Sequence, residues 1–118
     1  MLRLFLLSLL PSLIAALTLP AFGRSEAQPQ RQPAPAATIV IKDTTFEKPK
    51  VEVKAGETVL WRNEDDRDHE VVGDKREFRS GTIKPGKSWS RRFEEAGTFN
   101  YHCALHPRAR GTITVRPE

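Results

Sequence analysis

From Thr38 onward, apolar residues fall at alternate positions in short runs, and glycine or proline separates most of the runs. Ile39 and Ile41 alternate with Val40 and Lys42, Val51 and Val53 with Glu52 and Lys54, and Val59 and Trp61 with Leu60 and Arg62. Successive side chains of a strand point to opposite faces, so this period of two marks strands with one buried face. His69–Val72, Ser88–Glu94, Thr98–Cys103 and Thr112–Val115 are further candidate strands. Turn signals stand at Ala55-Gly56, Gly73-Asp74, Ser80-Gly81, Pro85-Gly86, Ala96-Gly97 and Arg110-Gly111. No window carries a helical apolar stripe, so the pattern specifies an all-β fold, a sandwich or a Greek-key barrel. Trp61, Phe93, Phe99 and Tyr101 read as core, and Trp89 as core or edge. Arg91 breaks the pattern by sharing parity with Trp89 and Phe93, which requires a bulge or a place at a sheet edge.

The segment ahead of this domain is of another kind. Met1-Leu2-Arg3 gives a positive start, and Leu4 to Leu19 is almost wholly apolar. Residues 1–27 read as a secretory signal peptide, with small residues placing cleavage after Gly23 or Ala27. The run approaches membrane-spanning length, but Pro11, Pro20 and the small-residue tail favour cleavage, with no stable membrane insertion afterwards. Residues 28–37, QPQRQPAPAA, form an extended linker, and the domain spans 38–118. Cleavage removes Met1, the only methionine, so the mature chain has no thioether. Nineteen Lys and Arg against fifteen Asp and Glu give +4 with the signs mixed along the chain, and no basic run points to nucleic acid. A single cysteine excludes an intramolecular disulfide. A domain this small therefore gains from a bound metal.

In Thr98–Cys103, Phe99, Tyr101 and Cys103 share one face while Asn100 and His102 take the other. If the aromatics face the core, so does the thiol. Cys103 and His106 form C-x-x-H in the loop before the next strand, and His69 offers a second imidazole. One thiolate with two imidazoles suits copper in either oxidation state and is acceptable to zinc. A buried apolar cysteine beside unrelated histidines is the bland alternative. Export counts against it, because a free thiol in an oxidising compartment must be buried or coordinated. His102 points away from Cys103 and reads as a non-ligand. The run Glu64-Asp65-Asp66, with Asp68, reads as a solvated loop with at most weak affinity for cations.

Glu94–Val115, EEAGTFNYHCALHPRARGTITV, resembles the C-terminal ligand loop of the cupredoxins, the type 1 blue copper family, and above all its short amicyanin-type form. Lys48–Val72 is similar to the family's N-terminal ligand region, with Asn63 six residues before His69. The resemblance implies a Greek-key β-sandwich holding one copper ion, Cu(I) or Cu(II), through His69, Cys103 and His106. It also exposes departures. The family's weak axial methionine falls at Ala109, so no side-chain ligand is expected there, and water or a backbone oxygen is left to complete the site. The asparagine common after the first ligand is Glu70, whose backbone N–H can still donate to the Cys103 sulfur. Leu105 and Pro107 could form the docking patch around His106, with Arg108 and Arg110 beside them to steer an acidic partner. The implied function is that of a small periplasmic or secreted monomer, not an enzyme, carrying one electron between redox proteins such as a dehydrogenase or a cytochrome. The alternative is copper binding and delivery without electron shuttling.

Overall fold

The computed structural model describes residues 34–118, with Ala16 and Gly23 in isolation; the expected signal peptide (1–27) and most of the expected linker lie outside the described residues. Eight strands follow in order: β1 (Ala37–Lys42), β2 (Thr45–Phe46), β3 (Lys50–Lys54), β4 (Glu57–Asn63), β5 (Val71–Gly73), β6 (Ser88–Phe93), β7 (Gly97–Cys103) and β8 (Arg110–Arg116). They form two four-stranded sheets, β2-β1-β4-β6 and β3-β8-β7-β5. Each sheet contains one parallel pair, β1 with β4 and β3 with β8, so the chain crosses between sheets instead of running as successive hairpins. The all-β sandwich expected from the alternation is the fold.

The alternating residues meet between the sheets. Ile39, Ile41, Val59, Trp61 and Phe93 from one sheet pack with Val53, Val71, Tyr101, Cys103, Ile113 and Val115 from the other, all buried. Tyr101 lies opposite Gly111 in the β7–β8 register, and a Cβ on Gly111 would sit 2.2 Å from the Tyr101 ring and hydroxyl. The absent side chain lets the ring lie across the strand. Tyr101 then packs edge-on against Phe46 and Trp61, at 4.9 and 5.5 Å between ring centroids.

Arg91 sits on an edge strand. The β4–β6 register runs unbroken from Glu57↔Phe93 to Arg62↔Ser88, so no bulge is present. Its guanidinium lies 4.8 Å from the Phe78 ring centre and 5.4 Å from that of Phe93, closing the open side of the core with a cation over aromatic faces. Trp89, on the same strand, is partly buried against Trp61.

Strand β2 has only two residues and no sequence signal of its own. It is turned back on β1 through Asp43 and Thr44, both with left-handed φ (51° and 57°), as a type I′ hairpin requires. β1 begins at Ala37, one residue ahead of the expected domain start, and the Ala36 N–H already bonds Thr58 O.

Candidate metal centre

The centre lies where β7 ends. Alternation along β7 carries Cys103 inward with Tyr101, and its side chain is fully buried. The following loop closes on itself: the Cys103 N–H bonds Ala109 O (3.0 Å), the His106 N–H bonds Cys103 O (3.3 Å), and the Ala109 N–H bonds His106 O (2.9 Å). These bonds return His106 over the cysteine before β8 starts at Arg110, slightly earlier than the sequence pattern indicated.

His69 comes from the other side of the centre. It stands just ahead of β5, held by a reciprocal pair of backbone bonds with Ile83 (3.1 and 2.7 Å). Pairing of Val71 with Cys103 then draws the segment alongside β7. Glu70 joins the two parts: its N–H donates to Cys103 Sγ (3.5 Å), and its carbonyl accepts from the Ala104 N–H (3.0 Å). Its side chain forms an ion pair with Arg79, which raises the pKa of that guanidinium.

The result is a convergence of three donor atoms. Cys103 Sγ lies 3.5 Å from His69 Nδ1 and 3.8 Å from His106 Nδ1, and one ligand atom from each residue falls within 4.8 Å of the others. One ion making bonds of about 2.0 Å to nitrogen and about 2.3 Å to sulfur bridges such separations. His69 and Cys103 are buried, whereas His106 is partly exposed. All three residues expected from the sequence are therefore brought together, and His102 is not among them: its Nδ1 faces Asp74 on the outer surface at 2.6 Å.

Asp65 departs from the expectation of a merely solvated acidic loop. Its Oδ2 lies 2.9 Å from both the Thr44 N–H and His69 Nε2, and its Oδ1 accepts the Asp66 N–H at 2.9 Å. The Thr44 N–H, and then His69, hold its carboxyl well below the usual carboxylate range. An ionised carboxylate only accepts, so His69 Nε2 is the donor, and Nδ1 is the nitrogen turned to the cysteine sulfur and available as a metal ligand in the neutral ring. The i, i+4 spacing of Asp65 and His69 was readable in the sequence, but nothing there distinguished Asp65 from its acidic neighbours.

Asn63 organises the same loop from within. Fully buried, it donates through Nδ2 to Arg67 O (2.7 Å) and Ile83 O (2.9 Å), and accepts the Asp65 N–H at Oδ1 (2.9 Å). Ala109 is 3% exposed, so the position holding no thioether is enclosed by protein. Around His106 the surface is open. Leu105 is 52% exposed, Arg108 is exposed, and Arg110 lies 3.7 Å from Asp74.

Comparison with known proteins agrees with this geometry. A family model described as a cupredoxin-like domain matches residues 12–115. Amicyanin of Paracoccus denitrificans is 33% identical over an alignment covering 88% of this chain and 93% of that protein. Plastocyanin of Scenedesmus fuscus is 40% identical over 60% of this chain and 86% of its own. Among solved structures, a Cu(I) form of an amicyanin methionine-to-alanine mutant aligns at TM-score 0.63 and 36% identity, covering 69% of this chain and 82% of that one. With the sandwich, the enclosed His-Cys-His convergence and these matches in agreement, the chain belongs to the cupredoxin-like family.

Proposed function

We propose that this protein carries single electrons between redox proteins, holding one copper ion through His69, Cys103 and His106. The observation that carries this reading is the convergence of one buried thiol sulfur and two imidazole nitrogens within 4.8 Å. Copper bound there supplies a one-electron couple, and the mixed donor set suits both of its oxidation states. The chain's own groups do the rest. Cys103 Sγ receives the Glu70 N–H, which stabilises a thiolate, and Asp65 leaves His69 Nδ1 free to donate its lone pair. The bonds among Cys103, His106 and Ala109 fix the loop, so the donors have little freedom to rearrange when charge changes.

His106 is the one partly exposed member of the three and gives the route to a partner. Leu105 and Pro107 supply apolar contact beside it. Arg108 and Arg110 favour a partner with an acidic surface, whose association should weaken as salt screens the charges. Ala109 is buried beside the loop and would offer a bound ion no side-chain donor. The reading also takes in export as a monomer after removal of residues 1–27, into the periplasm or beyond.

Adding Cu(II) to the mature protein tests the proposal. The expected result is an intense visible band, a reversible voltammetric couple, and loss of the band in Cys103→Ser. Absence of both the band and any copper-dependent rise in Tm would overturn it, and rapid loss of copper to a modest chelator would favour delivery instead.

A further inference from the structure

Thr44 is the least expected residue near the metal centre. It is β-branched yet holds φ at 57°, a left-handed conformation that such side chains rarely adopt. Residues kept in such conformations are over-determined by their surroundings and cluster where geometry matters. Here the surroundings are visible. The Thr44 N–H points to Asp65 Oδ2 at 2.9 Å, across 21 residues of chain, and the same oxygen receives His69 Nε2. A second tie runs alongside, from the Glu64 N–H to Ile41 O at 2.9 Å. The tip of the β1–β2 hairpin and the loop ahead of His69 are thus joined through one carboxylate oxygen.

We propose that the β1–β2 hairpin tip is a positioning element of the metal centre, with the left-handed Thr44 fixing the Asp65 carboxylate that in turn orients His69. The carboxylate's remaining contact is local to its own loop: Oδ1 accepts the neighbouring Asp66 N–H, while Asn63 holds Asp65 by its backbone N–H. Among the described residues, only Thr44 ties the carboxylate to a different part of the fold. The two residues of β2 explain themselves on this view: Ile41↔Phe46 and Lys42↔Thr45 are the pairs that hold the turn closed. A longer or looser turn would carry the N–H away from Oδ2 and leave His69 Nε2 with a carboxylate free to swing.

The inference rests on reading His69 as a ligand, but its test includes the metal-free protein and can fail while copper binding stands. Solvent exchange of the His69 Nε2 proton is followed by NMR in the metal-free and Cu(I)-loaded forms. Insertion of one glycine between Asp43 and Thr44 should speed that exchange at least ten-fold and weaken Cu(I) binding about ten-fold, the lower end of what outer partners of metal-bound histidines contribute. Asp43→Gly, which keeps the two-residue turn, should leave both within two-fold. Exchange and affinity within two-fold of wild type in the insertion variant would overturn the proposal. Should that variant not fold, Asp65→Ala serves: exchange of the Thr44 amide must rise at least ten-fold, and an unchanged Thr44 amide refutes the link.

Discussion

Asn63 offers the sharpest test of how the loop before His69 is held. Its side chain is fully buried and makes three hydrogen bonds, to Arg67 O, to Ile83 O and from the Asp65 N–H. Asn63→Ala removes all three. Each is worth about 1 kcal/mol net, and a buried partner left unpaired costs about 1–3 kcal/mol. The Ile83 carbonyl keeps its bond from the His69 N–H, so the loss there is of one bond and not of all pairing, and the Arg67 carbonyl and Asp65 N–H lie nearer the surface. The expected total is about 3 kcal/mol, or roughly 15 °C in Tm for a domain of this size. Asn63→Asp should cost at least as much, because it turns a carboxylate oxygen towards two carbonyls that now receive N–H groups. Urea and thermal unfolding of the metal-free protein measure both variants. Asn100→Ala, on the exposed face where the Asn100 side chain accepts the Thr112 hydroxyl, is the control and should stay within about 0.5 kcal/mol. Wild-type stability in either Asn63 variant would refute the reasoning.

Tyr101 has a fully buried hydroxyl with no hydrogen-bond partner among the described residues, and burial pushes its pKa up to about 12. Its folded pKa lies above the unfolded value, so its contribution is complete below about pH 10 and is lost as pH rises towards 12, by up to about 1.4 kcal/mol per pH unit. Tyr101→Phe should match wild type at pH 7 and resist alkaline unfolding better, and equal slopes in unfolding titrations above pH 10 would count against this. Gly111→Ala drives a methyl to 2.2 Å from the Tyr101 ring and should cost about 3 kcal/mol; a penalty that persists in a Tyr101→Leu background would show that the ring is not its cause. Ala109→Met restores a thioether at an enclosed position, and should lower the copper potential and alter the EPR spectrum. Identical spectra would mean that the axial side is already filled.

The strands were legible because burial leaves a period of two in the sequence. The pattern succeeded at β1, β3, β4, β7 and β8, where one face meets the other sheet. It missed β2, whose two residues are too few to show a period, and whose turn uses Asp43 and Thr44 where glycine or asparagine would have signalled the hairpin. It left Arg91 open because parity cannot reveal whether a strand lies at an edge. At the candidate centre, Cys103 and His106 are local and readable from spacing. His69 is 34 residues away, and the resemblance to a family placed it where spacing alone could not. Asp65 stayed hidden, since its role depends on the hairpin tip that no pattern announced.

The long-range part of the centre is also the part with the most redundant support. Cys103 and His106 are related by one short loop closed by three backbone bonds. His69 has no such local frame, and it is held four times over: by Ile83 through the backbone, by the β5–β7 pairing at Val71↔Cys103, by Glu70 through both the cysteine sulfur and Ala104, and by Asp65 at the ring. None of these contacts requires a metal. A donor set built this way is organised before copper arrives, and its supports resist rearrangement when the charge of a bound ion changes. For an electron carrier that resistance is useful, because reorganisation avoided in the donors is barrier removed from the transfer. The supports around His69, more than the three donors themselves, are therefore where substitutions should slow electron exchange at a moderate cost in copper affinity instead of abolishing binding.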